Sequence, residues 1–189
     1  MPTHTAETAL LAQLFDDEVK SPLVAPHNSV VLKESGAHAK LKKLTIGHLD
    51  AHALVLLLEK GQTADHRYTK LFAMPPGWTH HKACDAVMFL HWKQKDYIVF
   101  VELKSDTPKG CDQQFESAEQ FIDYAFRTLN WQKKHDRIKR RHRRVVFNTS
   151  KTVCQTLNKL PVNPRNATAH DIVFVQVQNN GVVSPADFC

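Results

Sequence analysis

The sequence lacks several features that mark common classes of protein. Its four cysteines, at positions 84, 111, 154 and 189, are far apart and form no Cys-x-x-Cys pair, which argues against a zinc knuckle or a redox dithiol. We therefore expect a reduced, cytoplasmic protein. The chain has no signal-peptide pattern and no apolar run approaching ~20 residues, so we expect neither export nor a membrane span.

Histidine is abundant, but its spacing rarely suits a metal site. Among the twelve histidines, only His48 and His52 have the one-turn spacing of a helical metal pair. The sequence shows neither the glutamate of a zincin motif nor a third ligand. This segment therefore indicates an exposed helix face or a loop more than a zinc site.

Positive charge is concentrated in one segment. The 189 residues suffice for a single domain, 1–189, with a substantial core, and carry a net charge of +6. Between Trp131 and Lys151, nine basic residues face one acid, Asp136. A solvated helix end needs fewer cations, so the pattern favours a phosphate-contacting surface. The basic residues are Lys133, Lys134, Arg137, Lys139, Arg140, Arg141, Arg143, Arg144 and Lys151.

Two apolar segments on either side of a polar four-residue break, residues 93–96, predict a β-hairpin. If Trp92 pairs with Tyr97, opposed positions sum to 189 and Asp85 lies opposite Lys104. Side chains two apart on a strand share a face, so Asp85, Glu102 and Lys104 project together at one end of the hairpin. Opposed pairs approach to about 5 Å and diagonal pairs to about 7–8 Å.

This group of side chains suits a hard divalent cation. Mg²⁺ or Mn²⁺ would take oxygen from Asp85, Glu102 and the Leu103 carbonyl, and complete its shell with water and phosphate. Lys104 could orient a nucleophile or offset charge on a phosphate. The chemistry indicated is phosphodiester hydrolysis. The alternative is that these are strand-end charges, although charges on an apolar strand need partners.

The following segment predicts a long helix. Gly110 and Asp112 supply a break and an N-cap. A core stripe follows at helical spacing, formed by Phe115, Ala118, Ile122, Ala125, Phe126 and Leu129. Gln120 and Tyr124 are one turn apart on a different face. One face would pack on the hairpin and bring both residues to the carboxylates. Otherwise Tyr124 is a core aromatic and Gln120 a surface amide.

The rest of the chain predicts an α/β protein. We expect a helix over residues 5–19 and strands over 29–32, 41–46, 145–148 and 171–177. Residues 53–58 indicate a strand or a short buried helix. The turn signal at 179–181 is followed by two valines, so we expect a terminal hairpin.

Asp85, a hydrophobic strand and Glu102-x-Lys104 resemble the core motif of the PD-(D/E)xK nuclease superfamily. Ala83-Cys84 stands where the family has proline. Gln120 to Tyr124 resembles the Gln-xxx-Tyr signature of RecB-type exonucleases. The resemblance covers about residues 80–150. It implies a restriction-endonuclease-like αβββαβ core with a mixed sheet, metal binding by the two acids, catalysis assisted by Lys104, and substrate positioning by Gln120 and Tyr124.

The resemblance also leaves several residues open. Related nucleases often take an acid from the first helix, and either Glu7 or Glu18 could fill that position. His80, His81 and Lys82 precede Asp85 and either contact the nucleic-acid backbone or belong to a solvated loop.

We expect a metal-dependent nuclease acting on DNA in repair, mobile-element or defence processes, with RNA as an open alternative. The small size is compatible with a homodimer or a partner protein. Two other hypotheses compete: a non-catalytic nucleic-acid-binding protein of the same fold, and an RNA-binding or assembly protein.

Overall fold

The computed structural model describes residues 3–34, 40–58, 83–104, 110–133, 138–149, 168 and 171–189. Within these residues the chain is a mixed α/β protein with two α-helices, α1 (His4–Leu14) and α2 (Cys111–Lys133). The strands are β1 (Lys20–Ser21), β2 (Val30–Leu32), β3 (Leu44–Ile46), β4 (Leu54–Leu57), β5 (Ala86–Trp92), β6 (Lys95–Lys104), β7 (Arg141–Asn148), β8 (Ile172–Gln176) and β9 (Gly181–Val183).

The main sheet has six strands in the order β1-β4-β5-β6-β7-β8. Neighbouring strands from β1 to β6 are antiparallel, whereas β6, β7 and β8 are parallel. Parallel neighbours require a crossover connection, and α2 lies in the one between β6 and β7. The segment 53–58, which the sequence left open between strand and helix, contains strand β4.

Both faces of the main sheet are buried, which explains the nearly continuous apolar run in β6. On one face Ile98 and Phe100 belong to a core shared with the two helices, including Leu11 and Phe115. On the other face Val99 packs in a core formed with a three-stranded sheet of order β2-β3-β9. The site described below lies on the helix face.

Helix α1 is shorter than predicted. The Thr3 hydroxyl accepts a hydrogen bond from the Ala6 amide at 3.3 Å and caps the helix, which ends at Leu14. The prediction of a helix over residues 5–19 was therefore wrong beyond that point. Asp16 accepts from the Glu18 amide at 2.9 Å and starts a separate 3₁₀ turn, because short acidic side chains compete for backbone donors.

Helix α2 confirms the predicted core stripe. It begins at Cys111, directly after Gly110, whose φ of +79° favours glycine. All six residues of the stripe are buried, between Phe115 at 0 % exposure and Phe126 at 5 %. Neither described helix is both long and apolar enough to cross a membrane.

The predicted terminal hairpin was wrong. The turn at 178–181 leads β9 away from β8 and into the second sheet, where β9 runs parallel to β3. The Asn179 carboxamide oxygen accepts from the amides of Lys42 and Lys43, at 3.0 and 3.3 Å. These long-range bonds fix the turn beside β3, so the strand after it pairs there.

Candidate active site

The hairpin of β5 and β6 has a register different from the predicted one. Trp92 pairs with Lys95, so opposed positions sum to 187 instead of 189. Lys93 and Gln94 form a two-residue turn with φ values of +46° and +62°, the geometry that matches strand twist. The predicted pairings of Trp92 with Tyr97 and of Asp85 with Lys104 were therefore wrong. Continuing the observed register places Asp85 opposite Glu102.

The three side chains still lie on one face of the hairpin, as predicted, because a register shift of two residues preserves the side-chain alternation. Glu102 and Lys104 follow Phe100 on the helix face of β6. The Asp85 carboxylate accepts a hydrogen bond from the Leu103 amide at 2.6 Å. The Lys104 ammonium contacts a Glu102 carboxylate oxygen at 2.5 Å. Asp85, Glu102 and Lys104 thus meet at one end of the main sheet.

A fourth side chain joins this end of the sheet from α2. The Gln114 carboxamide oxygen accepts from Lys104 Nζ at 3.1 Å, and its nitrogen donates to the Ala83 carbonyl at 3.4 Å. The sequence interpretation missed Gln114. A signal was present, because Gln114 lies one turn before Ala118 and therefore at the start of the buried stripe.

Burial and charge define the electrostatics of this group. Burial alone lowers the pKa of Lys104, but the adjacent Glu102 outweighs it, so the pKa lies above the ordinary value. Burial, reinforced by Glu102, raises the pKa of the Cys111 thiol to about 12 and that of Cys84 well above its usual range. The lysine is therefore a cation and both thiols are neutral at physiological pH.

The group also has a defined place in the topology. Lys104 ends β6 and is the parallel partner of Asn148, which ends β7 and is buried. Ligands in α/β sheets commonly bind outside the carboxyl ends of parallel strands. Helix α2 begins on the same side, as the Gln114 contact shows, and the positive end of its dipole favours anions there. Glu102 is buried, while Asp85 and Lys104 are half-buried and reach solvent.

The structure does not bring Gln120 and Tyr124 to the carboxylates. Gln120 is exposed, and the Tyr124 side chain is 69 % exposed. They line a shallow surface depression with Asp123 and Arg127. The predicted catalytic placement was wrong, because the core stripe faces the sheet and turns this pair outward. Tyr124 is equally not a core aromatic.

Three arginines of the basic segment have internal partners instead of an open surface. Arg140 donates to Glu7 at 2.7 Å, and Arg144 makes two bonds to Glu119, at 2.8 and 2.7 Å. Arg143, 4 % exposed, places its guanidinium over the Tyr97 ring. The prediction that Arg140, Arg143 and Arg144 contact phosphate was therefore wrong. They belong to or adjoin β7, which begins at Arg141, four residues earlier than predicted.

Other basic residues remain candidates for a nucleic-acid surface. Lys133 ends α2, and Lys139 and Arg141 lie at the start of β7; all three are exposed. The predicted contacts at His81, Lys82, Lys134 and Arg137 lie outside the described residues, as do His80 and Lys151.

Of the two acids considered for completing the site, Glu7 lies elsewhere. Glu7 is fully buried and accepts hydrogen bonds from Arg140 and the Ile138 amide. The prediction that Glu7 could complete the metal site was therefore wrong. Glu18 is exposed on the 3₁₀ turn. His48 and His52 lie in a loop, with His48 at φ +57°. Of the two predicted alternatives, an exposed helix face or a loop, the loop is therefore the one observed.

The donor set at this end of the sheet consists of oxygen atoms from two carboxylates and the main chain. Hard cations such as Mg²⁺ and Mn²⁺ prefer such donors, so the residues fit the predicted ion. Among the described residues, no group of three or more His, Cys, Asp and Glu side chains could hold a metal. Main-chain and water oxygens would have to complete the shell. No family model, curated protein or solved structure matches this chain.

Proposed function

We propose that the protein is a metal-dependent nuclease that hydrolyses phosphodiester bonds of DNA. One observation carries the proposal: Asp85, Glu102 and Lys104 meet at the end of two central strands, with the lysine in contact with Glu102 and Gln114. Charged groups are costly inside an apolar core. A cluster of two acids and a cation at the end of two central strands is therefore better explained by a catalytic role than by packing.

Asp85, Glu102 and the Leu103 carbonyl would hold Mg²⁺ or Mn²⁺. Such an ion polarises a phosphoryl oxygen and lowers the pKa of bound water. The two carboxylates would supply the negative charge that holds such a cation. The bond from the Leu103 amide to Asp85 fixes the orientation of that carboxylate on the hairpin.

Lys104 provides a fixed positive charge beside the carboxylates. Glu102 raises its pKa, so the ammonium stays protonated at neutral pH. Gln114 accepts one of its protons and limits the positions that the flexible side chain can adopt. When phosphate occupies the site, the ammonium can stabilise the charge that develops on the phosphate oxygens or orient the attacking water.

The order of the elements supports the same proposal. Helix α1 is followed, after β1 to β3, by antiparallel β4, β5 and β6, then by α2 and parallel β7. This order is consistent with the αβββαβ core that the resemblance to PD-(D/E)xK nucleases implies. Asp85 directly precedes β5, Glu102 lies on β6 and the Gln114 amide lies on α2, so all three would act from the central part of that core.

The test compares cleavage by matched variants. The purified protein is incubated with single-stranded, double-stranded and circular DNA and with RNA, first with Mn²⁺ and then with EDTA. Glu102→Gln and Lys104→Met should each reduce the rate by about 10²-fold or more, since each removes transition-state stabilisation of about 3 kcal/mol. Glu119→Gln is the control, because it breaks a comparable acid–arginine pair away from the site.

Folded variants that cleave at the wild-type rate would refute the assignment. So would wild-type cleavage that persists unchanged in EDTA after removal of bound metal. If Glu119→Gln loses as much activity as Glu102→Gln, general destabilisation is the cause and the site has no special role.

A non-catalytic protein of the same fold is the second candidate. It is favoured by the fact that Asp85 and Lys104 already have protein partners, as strand-end charges would. A ligand that binds the folded state stabilises it by about 2.7 kcal/mol at 100 times its Kd. Mn²⁺ should therefore raise the melting temperature of the wild type and not of Asp85→Asn. A wild type that shows neither this shift nor cleavage would favour the non-catalytic candidate.

A further inference from the structure

The outward face of α2 carries two exposed aromatic rings. Tyr124 is 69 % exposed and Trp131 is 72 % exposed. Seven residues correspond to nearly two full helical turns, so the rings point in almost the same direction about 10 Å apart. The other large exposed hydrophobic residues of the described chain are aliphatic and lie elsewhere: Leu14, Val24 and Val182.

Polar residues complete this face, and one exposed carboxylate, that of Asp123, borders it. Helical periodicity places Gln113, Gln120 and Arg127 within about a sixth of a turn of the line through the two rings, and all three are exposed. The acids of α2 lie further round the helix: Asp123 lines the depression beside Tyr124, and Glu119 pairs with Arg144 of β7. We call Gln113, Gln120, Tyr124, Arg127 and Trp131 the aromatic stripe.

We propose that the aromatic stripe binds single-stranded nucleic acid, with bases stacked on Tyr124 and Trp131 and a phosphate held by Arg127. Aromatic side chains bind any base through its flat face, and arginine supplies the complementary charge. The shallow depression beside Tyr124, lined by Gln120, Asp123 and Arg127, offers hydrogen-bonding groups to a base edge. An aliphatic face would instead suit a protein partner.

The stripe is also oriented towards the candidate active site. Helix α2 runs from Cys111, beside the carboxylates, to Lys133 at the opposite end. Exposed Lys139, two residues before β7, and exposed Arg141, the first residue of β7, also lie at that end. A nucleic-acid strand lying along the aromatic stripe would therefore extend from these cations towards Gln113 and the candidate active site. The inference rests on the proposed function only for this direction, because the binding itself needs neither metal nor cleavage.

The test measures binding of a fluorescent oligothymidylate to metal-free protein in EDTA. Tyr124→Ala and Trp131→Ala should each weaken binding by about tenfold, the order expected for loss of one base stack. Tyr124→Phe and Trp131→Phe keep a ring and should remain close to wild type. Val182→Ala is the matched control, because it truncates an equally exposed apolar side chain on the three-stranded sheet, away from α2.

Two further readouts separate stacking from charge. Trp131→Ala should leave the salt dependence of binding unchanged, whereas Arg127→Gln should reduce the slope of log K against log salt by about 0.7. Bound oligothymidylate should quench the tryptophan fluorescence of the wild type and quench that of Trp131→Phe much less. Double-stranded DNA of equal length, whose bases are already stacked, should lose little affinity in the alanine variants.

Several outcomes would overturn the inference. Unchanged oligothymidylate binding in both alanine variants, or equal losses for single- and double-stranded DNA, would exclude a stacking role. A change in oligomeric mass in Trp131→Ala, with unchanged nucleic-acid binding, would assign the stripe to a protein contact. Ring-dependent binding by a wild type that cleaves nothing would refute the nuclease proposal and leave the stripe standing.

Discussion

The buried pair of Glu7 and Arg140 should be among the most important charge interactions for stability. Both side chains have no exposed surface, and Arg140 Nε lies 2.7 Å from Glu7 Oε2. The other Glu7 oxygen accepts from the Ile138 amide at 2.9 Å, so this carboxylate attaches the approach to β7 to α1. Replacing Glu7 by glutamine keeps the size of the side chain but leaves the arginine charge buried without its counter-charge.

Breaking a buried pair in this way costs about 3–5 kcal/mol. For a chain of this length, each kcal/mol lowers the melting temperature by about 2–4 °C. We therefore expect Glu7→Gln to melt about 6–20 °C below the wild type, with a matching loss of unfolding free energy in urea. The pair of Lys20 with the exposed Asp17 is the control, and Asp17→Asn should change stability by less than about 0.5 kcal/mol.

The double variant Glu7→Met, Arg140→Met separates burial of charge from packing. Replacing both partners of a buried pair by apolar residues is often neutral or stabilising, so it should recover most of the loss. Arg140→Met should also leave the salt dependence of DNA binding unchanged, because the guanidinium is internal. The reasoning is refuted if Glu7→Gln matches wild-type stability, or if Arg140→Met flattens the salt slope.

Three other outcomes are expected. Lys139→Gln with Arg141→Gln, which removes two exposed cations, should flatten the salt slope of DNA binding by about one unit per lost contact. Cys111, whose pKa is raised to about 12, should resist a thiol reagent at pH 8 in the folded protein and react fully in urea; reaction at the unfolded rate would contradict its burial. Glu102 raises the pKa of Lys104 in the folded protein. Their pairing therefore stabilises the fold at pH values below 10.5, the ordinary pKa of lysine. This stabilisation is lost as the pH rises through the higher pKa that Lys104 has in the folded protein. Urea unfolding at rising pH should show a smaller alkaline loss in Glu102→Gln.

The shared face of Asp85, Glu102 and Lys104 was predictable because it depends only on strand alternation. The register was not, because Lys93 and Gln94 adopt left-handed conformations without the glycine or asparagine that usually marks such a turn. An error of two residues leaves the faces unchanged. The sequence therefore predicted which side chains meet and mispredicted which of them are directly opposed.

Helix α2 shows a different limit. Its buried stripe followed from periodicity, but the Gln-xxx-Tyr pattern gives only a spacing, and spacing does not decide which face of the helix meets the sheet. Gln114 is on the inner face and Tyr124 on the outer face. The positions of the apolar residues along α2 already indicated which face of the helix is the inner one.

The basic segment was misinterpreted for a physical reason. A run of cations indicates a surface only when no acid from elsewhere neutralises it. The partners of Arg140 and Arg144 are Glu7 and Glu119, which are 133 and 25 residues away. Such pairings depend on tertiary structure, so local charge counting overestimated the exposed positive surface.

The tight turn between β5 and β6 has a consequence for how this chain can change length. If the turn keeps two residues, one residue added at Lys93 or Gln94 would exchange the two faces of one strand relative to its partner, and Glu102 would no longer share a face with Asp85. Two added residues would restore the alternation. An odd insertion therefore keeps Asp85 and Glu102 on one face only where a longer loop or a bulge absorbs the extra residue.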